Sequence, residues 1–212
     1  MAIRIDLHVH TQRHSPCSTI DPEKLLRQAV RAGLDGLVIT EHHYQWQDRD
    51  IQDLAGRAGF PGFLLLAGFE FASGQGDILV YGLAPGDVDR FLPGTPPGEA
   101  IAMAHERGGV CIAAHPTRAG MGFDEEILML PLDVFETQSV NLKPHEQRMA
   151  AMLAVKAGKP GMAASDAHHL AQVGMYATDF CDPIRTMADL KEALRRGRFQ
   201  PVSRATARTG TL

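Results

Sequence analysis

The chain has 212 residues, and 44% of them are hydrophobic, which is enough for the core of one α/β domain. A net charge of −4 does not favour a general nucleic-acid or membrane-surface binder, and no apolar run approaches the ~20 residues of a membrane span. The three widely spaced cysteines do not form a disulfide framework and are typical of a reducing compartment. Because no basic and then apolar segment opens the chain, we expect no signal peptide, no membrane partner and a cytoplasmic protein.

The first predicted strand, residues 3–9, carries a pair of histidines at its end. His8 and His10 are two residues apart, so on a strand their side chains lie on the same face. Two imidazoles held side by side can bind one metal ion. The alternative is that one histidine packs in the core while the other is solvated.

Helices and strands alternate along the rest of the chain. A helix is expected to begin after Asp21, an N-cap residue that is followed by Pro22, and to end near Gly33. Further helices are predicted at about 48–58, 99–107, 144–157 and 187–196, and apolar strands at about 37–39, 63–69, 78–81, 110–114, 132–135 and 161–165. This alternation predicts one α/β domain over residues 1–203 with a mostly parallel sheet, followed by a poorly ordered tail, 204–212.

Residue types that commonly act as metal ligands follow six of the predicted strands. They are His8 and His10, His42, Glu70, His115, Glu136, and Asp166 with His168. In parallel α/β folds, functional residues gather at the carboxyl ends of the strands, so we expect these side chains to meet. Carboxylates mixed with imidazoles suit divalent transition metals better than a structural thiolate zinc site does.

Five motifs, in this order, resemble those of the PHP (polymerase and histidinol phosphatase) superfamily. They read Asp-Leu-His-Val-His-Thr, Ile-Thr-Glu-His, Gly-Phe-Glu, Ala-Ala-His-Pro and Ser-Asp-Ala-His, and the resemblance covers about residues 3–202. It implies a distorted (β/α)7 barrel whose metal site, at the carboxyl ends of the strands, holds two or three ions. It also implies hydrolysis of phosphoesters.

The same resemblance implies a ligand set. One site would use His8, His10 and Asp166 and share the bridging Glu70 with a second site that adds His115, and a third would use His42, His168 and one residue from the loop after the first strand. Glu70, Asp166 and His168 would also serve catalysis, the latter two as candidates to pass a proton to the leaving group.

Two positions depart from the family pattern. Asp77 stands where a ligand histidine is usual, and it is either an anionic oxygen ligand, which favours Mn²⁺, Fe²⁺ or Mg²⁺ over Zn²⁺, or a solvated turn residue. In the loop after the first strand, the family usually has an Asp or His ligand. Here Cys17 occupies the position of that ligand, whereas His14 has the side chain better suited to binding a metal ion.

Three further residues are candidates for substrate contact. Arg118 follows His115 by three residues and could clamp a phosphate, since a guanidinium matches two phosphate oxygens; a surface salt bridge is the alternative. His43 and Glu136 could touch substrate or support the metal ligands.

The function predicted from these residues is hydrolysis by a metal-activated water. The expected substrate is a small phosphomonoester or a nucleotide-type phosphoester, including a nucleic-acid end, and the expected cofactors are two or three Mn, Fe or Zn ions. Two alternatives stay open: hydrolysis of C–N or carboxylic ester bonds at the same centre, and a degenerate metal-binding module without activity.

Overall fold

The computed structural model describes residues 2–203, so the predicted tail, 204–212, lies outside the described residues. The strands are β1 (Ile3–Val9), β2 (Gly36–His42), β3 (Leu64–Ala72), β4 (Asp77–Tyr81), β5 (Val110–Ala114), β6 (Val134–Gln138), β7 (Gly161–Ala163), β8 (Tyr176–Phe180) and β9 (Phe199–Ser203). The helices are α1 (Pro22–Arg31), α2 (Asp48–Ala58), α3 (Pro97–Glu106), α4 (Pro144–Ala157) and α5 (Met187–Arg196). Among these helices, none is long and apolar enough to cross a bilayer.

The nine strands form one sheet in the order β7-β6-β5-β4-β3-β2-β1-β8-β9. The first half of β1 pairs with β8, antiparallel, from Ile3 opposite Phe180. The end of β1 instead meets the segment after β7, where Val9 bridges Ala167 and the amide of His10 donates to the carbonyl of Ala167 at 3.1 Å. The sheet therefore curls into a nearly closed barrel. The predicted distorted (β/α)7 barrel is confirmed as an architecture, with additional strands.

The direction of β4 places its first residue at the carboxyl-end rim of the barrel. β4 is antiparallel to both β3 and β5, and its first residue, Asp77, lies opposite Ala72 and Ala114. The start of β4 is therefore at the same rim of the barrel as the carboxyl ends of β3 and β5. This reversal explains how a residue that opens a strand can join residues that follow other strands.

Helices cover the barrel and close one end of it. The N-cap of α1 is as predicted: the carboxylate of Asp21 accepts the amides of Glu23 and Lys24 at 3.0 Å. Helices α1 and α2 pack on one side of the sheet, and α3 and α4 contribute to the cluster on the other. Leu190 and Leu194 of α5 instead join the apolar side chains inside the barrel. Because β4 ends and β5 begins where α5 lies, this helix closes the end opposite the Asp77 rim.

Candidate metal centre

The polar side chains predicted to meet at the carboxyl ends of the strands do meet there. They surround a cavity of 290 Å³ whose lining includes Cys17, His42, Glu70, Asp77, His115, Arg118, Met121, Asn141, Asp166 and His168. His8 and His10 are fully buried against these residues.

Glu70 lies at the centre of the cluster. Its Oε2 is 3.1 Å from His10 Nε2, 3.1 Å from His42 Nδ1 and 3.3 Å from His8 Nε2. Its Oε1 is 3.0 Å from His115 Nε2. One carboxylate thus faces two sets of imidazoles through its two oxygens, which is the arrangement a bridging ligand needs.

Three groups of donor atoms could each hold an ion. They are His8, His10 and Asp166; Glu70, Asp77 and His115; and His10, His42 and His168, with the atoms of each group within 4.8 Å of one another. In the first group the Nε2 atoms of the two histidines are 3.0 Å apart, and each is 3.4 Å from Asp166 Oδ1. Ligands bound at about 2.1 Å lie about 3.0 to 3.4 Å from one another, so the donor set fits a divalent transition-metal ion.

The electrostatics of the cluster also favour a cation. Burial acts to raise the pKa of Glu70 and Asp166, but the charge of His8 and hydrogen bonds from His10 hold both pKa values below their usual range. Burial acts to lower the pKa of His115, but the hydrogen bond to Glu70 and the charge of Glu70 raise it to about 9. Burial and the charge of Glu70 raise the pKa of Asp77 to about 6. The buried carboxylates therefore require positive charge, which protons or metal ions can supply in competition.

Glu136 contacts the candidate ligand His8 and is not among the residues that line the cavity. Its Oε1 accepts a hydrogen bond from His8 Nδ1 at 3.1 Å, and its Oε2 accepts the amide of His115 at 2.6 Å. The side chain is fully buried behind His8. Of the two interpretations of Glu136, this position favours support of a metal ligand, because a carboxylate here directs His8 Nε2 toward the cluster.

Glu136→Gln is expected to weaken Mn²⁺ binding by about 10- to 100-fold, because a neutral amide is a poorer acceptor for His8 Nδ1–H. Calorimetric titration of the metal-free protein measures the change. Glu99→Gln, at an exposed position on α3, is the matched control and should bind Mn²⁺ as the wild type does. Equal affinity in both variants would contradict the positioning role.

A second buried carboxylate, which the sequence patterns did not single out, holds the loop after β1. Glu41 accepts hydrogen bonds from the amide of Thr11 at 3.0 Å, from Ser15 Oγ at 2.6 Å and from Trp46 Nε1 at 3.0 Å. Ser15 Oγ in turn accepts from His10 Nδ1 at 3.3 Å. The chain of hydrogen bonds directs His10 Nε2 into the cluster. The signal in the sequence was a glutamate directly before His42.

The two candidates for the loop ligand, His14 and Cys17, lie in different surroundings. His14 stacks on Tyr44, with ring centroids 3.7 Å apart, and lies edge-on to Trp46. Cys17 is a free, exposed cysteine that lines the metal cavity. Within residues 2–203, neither side chain belongs to the three donor groups.

His43 also stays outside the cavity lining. Its side chain is exposed and edge-on to Phe71, and its amide donates to the carbonyl of Glu70 at 2.9 Å. The backbone of His43 thus helps to fix Glu70. The structure does not bring its imidazole among the residues that line the cavity.

Asn141 fixes the position of Asp166 and was missed by the sequence patterns, since an amide in a loop carries no metal-ligand signature. Its Nδ2 donates to Asp166 Oδ2 at 2.7 Å, which leaves Oδ1 directed at His8 and His10.

Two of the candidate ligands have an unusual backbone conformation. Asp166 has a φ of 51°, and His115 has a φ of 28°. Such left-handed backbone at non-glycine residues is costly and is found preferentially at functional sites.

Arg118 reaches the cavity from a loop that is tied down at several points. Its Nη1 lies 3.9 Å from Asp166 Oδ2, which is too long for a hydrogen bond. The loop is anchored to α4, where Glu146 accepts the amide of Ala119 at 3.0 Å and the hydroxyl of Thr117 at 2.7 Å. The guanidinium is therefore held beside the candidate ligands with donors available to an anion.

Comparisons with known proteins agree with the fold, an α/β barrel that carries a cluster of histidines and carboxylates at one rim. Residues 144–199 match the family model described as PHP-associated. No protein of curated function matches the sequence significantly.

Solved structures share the fold at low sequence identity. PsfC from Pseudomonas syringae PB-5123 is 20% identical, with a TM-score of 0.72 over 95% of this chain and 91% of PsfC. A two-domain protein from Bacteroides vulgatus, described as containing a predicted PHP-like metal-dependent phosphoesterase, is 18% identical, with a TM-score of 0.70 over 96% of this chain and 65% of that one. An amidohydrolase from Chromobacterium violaceum, with bound sulfate and no metal, is 17% identical, with a TM-score of 0.64 over 96% and 99% of the two chains.

The family model agrees with the predicted membership of the PHP superfamily over residues 144–199, and the solved structures share the fold of the chain as a whole.

Proposed function

We propose that this protein is a metal-dependent hydrolase and, more specifically, a phosphoesterase that acts on a small phosphomonoester or a nucleotide-type phosphoester. The observation that carries the proposal is the presence of Arg118 in the same cavity as the three groups of metal-binding side chains. Two or three Mn, Fe or Zn ions would be held there. When bound, such ions supply an activated water and stabilise charge on the phosphoryl oxygens.

The side chains of the cavity have distinct parts in this proposal. Arg118 would bind two phosphoryl oxygens through its planar guanidinium and orient the substrate. His168 Nδ1 donates to the carbonyl of Asp166 at 3.0 Å, so Nε2 is the atom left to bind an ion or to pass a proton to the leaving group. A cavity of 290 Å³ suits a phosphoryl group and a few attached atoms, or the end of a longer molecule.

A second candidate is hydrolysis of an amide or a carboxylic ester. It is favoured by the shared fold of the C. violaceum amidohydrolase, which covers nearly all of both chains. The same ligand set can serve attack on a carbonyl, because metal ions activate water in both reactions. Arg118 favours the phosphoesterase, since a neutral amide gains less from a guanidinium than a phosphate does.

The test is an assay of the protein purified without chelator and supplied with Mn²⁺. We expect more than one metal ion per chain and turnover of 4-nitrophenyl phosphate. Arg118→Ala should lower kcat/KM for this substrate by about 10²-fold, and Arg118→Lys should recover only part of it, because an ammonium cannot pair with two oxygens at once. Arg148→Ala, at an exposed position on α4, is the matched control and should leave kcat/KM unchanged.

The outcomes separate the candidates. Turnover of amides or lactones without turnover of phosphoesters would favour the second candidate. Fewer than about one ion per chain together with no turnover would favour a non-catalytic metal-binding module. An Arg118→Ala variant as active on phosphoesters as the wild type would contradict the role given to the guanidinium.

A further inference from the structure

A second cavity adjoins the metal cavity and shares one residue with it. Its volume is 390 Å³, and Arg118 lines both cavities. The loop that carries Arg118 stands between them, because Met121 lines the metal cavity whereas Pro116 and Phe123 line the second one. A molecule that contacts Arg118 from the metal cavity therefore lies directly beside the second cavity.

The walls of the second cavity are mainly apolar. Pro116 and Phe123 come from the loop, Ile127 from the short 3₁₀ turn Glu125–Met129, and Met149 and Leu153 from α4. Apolar walls with few polar groups favour an apolar ligand group, because burying it removes hydrocarbon surface from water.

The aromatic wall is fixed relative to the metal centre. Phe123 packs on Gly76, where an added Cβ would come within 2.5 Å of its ring, and Gly76 directly precedes Asp77. The amide of Phe123 also donates to the carbonyl of Pro116 at 2.9 Å, which closes the loop. The second cavity therefore has a set position beside the candidate metal ligands.

Negatively charged side chains at the second cavity disfavour an anionic ligand group there. Asp124 and Glu125 also line it. Asp124 caps the 3₁₀ turn by accepting the amide of Glu126 at 2.9 Å, and Glu125 is exposed. Among the described residues that line the two cavities, Arg118 is the one lysine or arginine. A second phosphate or carboxylate would therefore meet two negative side chains with no cation beyond the one already used.

We propose that the second cavity is a leaving-group subsite that binds the planar, apolar ring of an aryl phosphomonoester lacking a second negative charge. This inference rests on the proposed function for the placement of the phosphoryl group at Arg118. It narrows the substrate class: aryl and similar ring-bearing monophosphates are preferred over sugar bisphosphates and polyphosphates.

Binding of two phosphonates tests the subsite without requiring turnover. Phenylphosphonate and methylphosphonate carry the same anionic group, so the ratio of their dissociation constants reports on the ring alone. For the Mn²⁺-loaded wild type, calorimetry should give a phenyl-over-methyl preference of at least about tenfold. Met149→Glu, which places a carboxylate at the cavity wall, should reduce this ratio to about one.

Met152→Glu is the matched control on the same helix. Met149 and Met152 are both exposed, at 53% and 72%, but only Met149 lines the cavity. Met152→Glu should therefore keep the wild-type ratio. Equal affinities for the two phosphonates in the wild type, no measurable binding of phenylphosphonate, or an equal loss of preference in both variants would overturn the subsite.

Turnover is measured separately on 4-nitrophenyl phosphate and glycerol phosphate. If neither is hydrolysed while the phosphonate ratio and its loss in Met149→Glu hold, the proposed phosphoesterase fails and the ring-binding cavity stands. If both are hydrolysed while the phosphonate ratio is one, the phosphoesterase stands and the subsite fails.

Discussion

Replacing Glu70 by glutamine is expected to lower kcat/KM by at least about 10³-fold and to remove at least one metal ion per chain. The two oxygens of Glu70 face His8, His10 and His42 on one side and His115 on the other. Glutamine keeps the shape of the side chain but carries no charge and only one oxygen, so it cannot join two ions. Metal analysis and steady-state kinetics on the same preparation measure both effects.

The fold of the Glu70→Gln variant should be intact, because the amide fits the same space and can still hydrogen bond with the neighbouring imidazoles. A far-UV circular dichroism spectrum checks this. Glu99→Gln, an exposed carboxylate on α3, is the control for the chemical change alone and should retain activity and metal. Wild-type activity of the Glu70→Gln variant would contradict a bridging role for Glu70.

Asp77 is the second position at which a large effect is expected. Its carboxylate is buried beside Glu70 and lies 3.7 Å from His115 Nε2, in one of the three donor groups. Asp77→Ala should therefore release one ion per chain and lower kcat by about 10²-fold. Asp77→His, which introduces the histidine that the resemblance to the PHP superfamily implies, should keep the ion and shift the preference from Mn²⁺ toward Zn²⁺, because imidazole is a softer ligand than carboxylate.

Competition between Mn²⁺ and Zn²⁺, followed by metal analysis of the three proteins, distinguishes these outcomes. Asp87→Ala, outside the cluster, serves as the control for loss of an acidic side chain. If Asp77→Ala kept the wild-type number of ions and the wild-type kcat, Asp77 would be a turn residue with no part in the centre.

Much of the site could be predicted because its residue types and their positions relative to strands are local features. His8 and His10 share a face because they are two residues apart on a strand, and Glu70 and Asp166 follow apolar runs that have to be buried. The helices α1 and α2 could be placed for the same reason, since caps and apolar spacing are visible in a short window. The structure has α1 at Pro22–Arg31 and α2 at Asp48–Ala58.

Strands β8 and β9 could not be predicted, since neither carries an apolar run. β8 contains Thr178 and Asp179, and β9 contains Pro201. Strand β8 is held in the sheet by its pairing with β1. Arg4 on β1 lies opposite Asp179, and its Nε and Nη2 donate to Asp179 Oδ1 and Oδ2 at 2.7 and 2.8 Å. Pairing with a residue 175 positions away leaves no local pattern.

The residue types and their positions after apolar runs were enough to predict histidines and carboxylates at the ends of buried strands, and hence a candidate metal centre at one rim of an α/β sheet. The part that each acid plays depends on the tertiary structure. Glu70 faces both sets of imidazoles, Glu136 is buried behind His8, and Asp77 reaches the rim because β4 is reversed. The physical reason is that spacing along the chain fixes the face of a strand on which a side chain lies, whereas its partners depend on strand order and direction, which distant residues set.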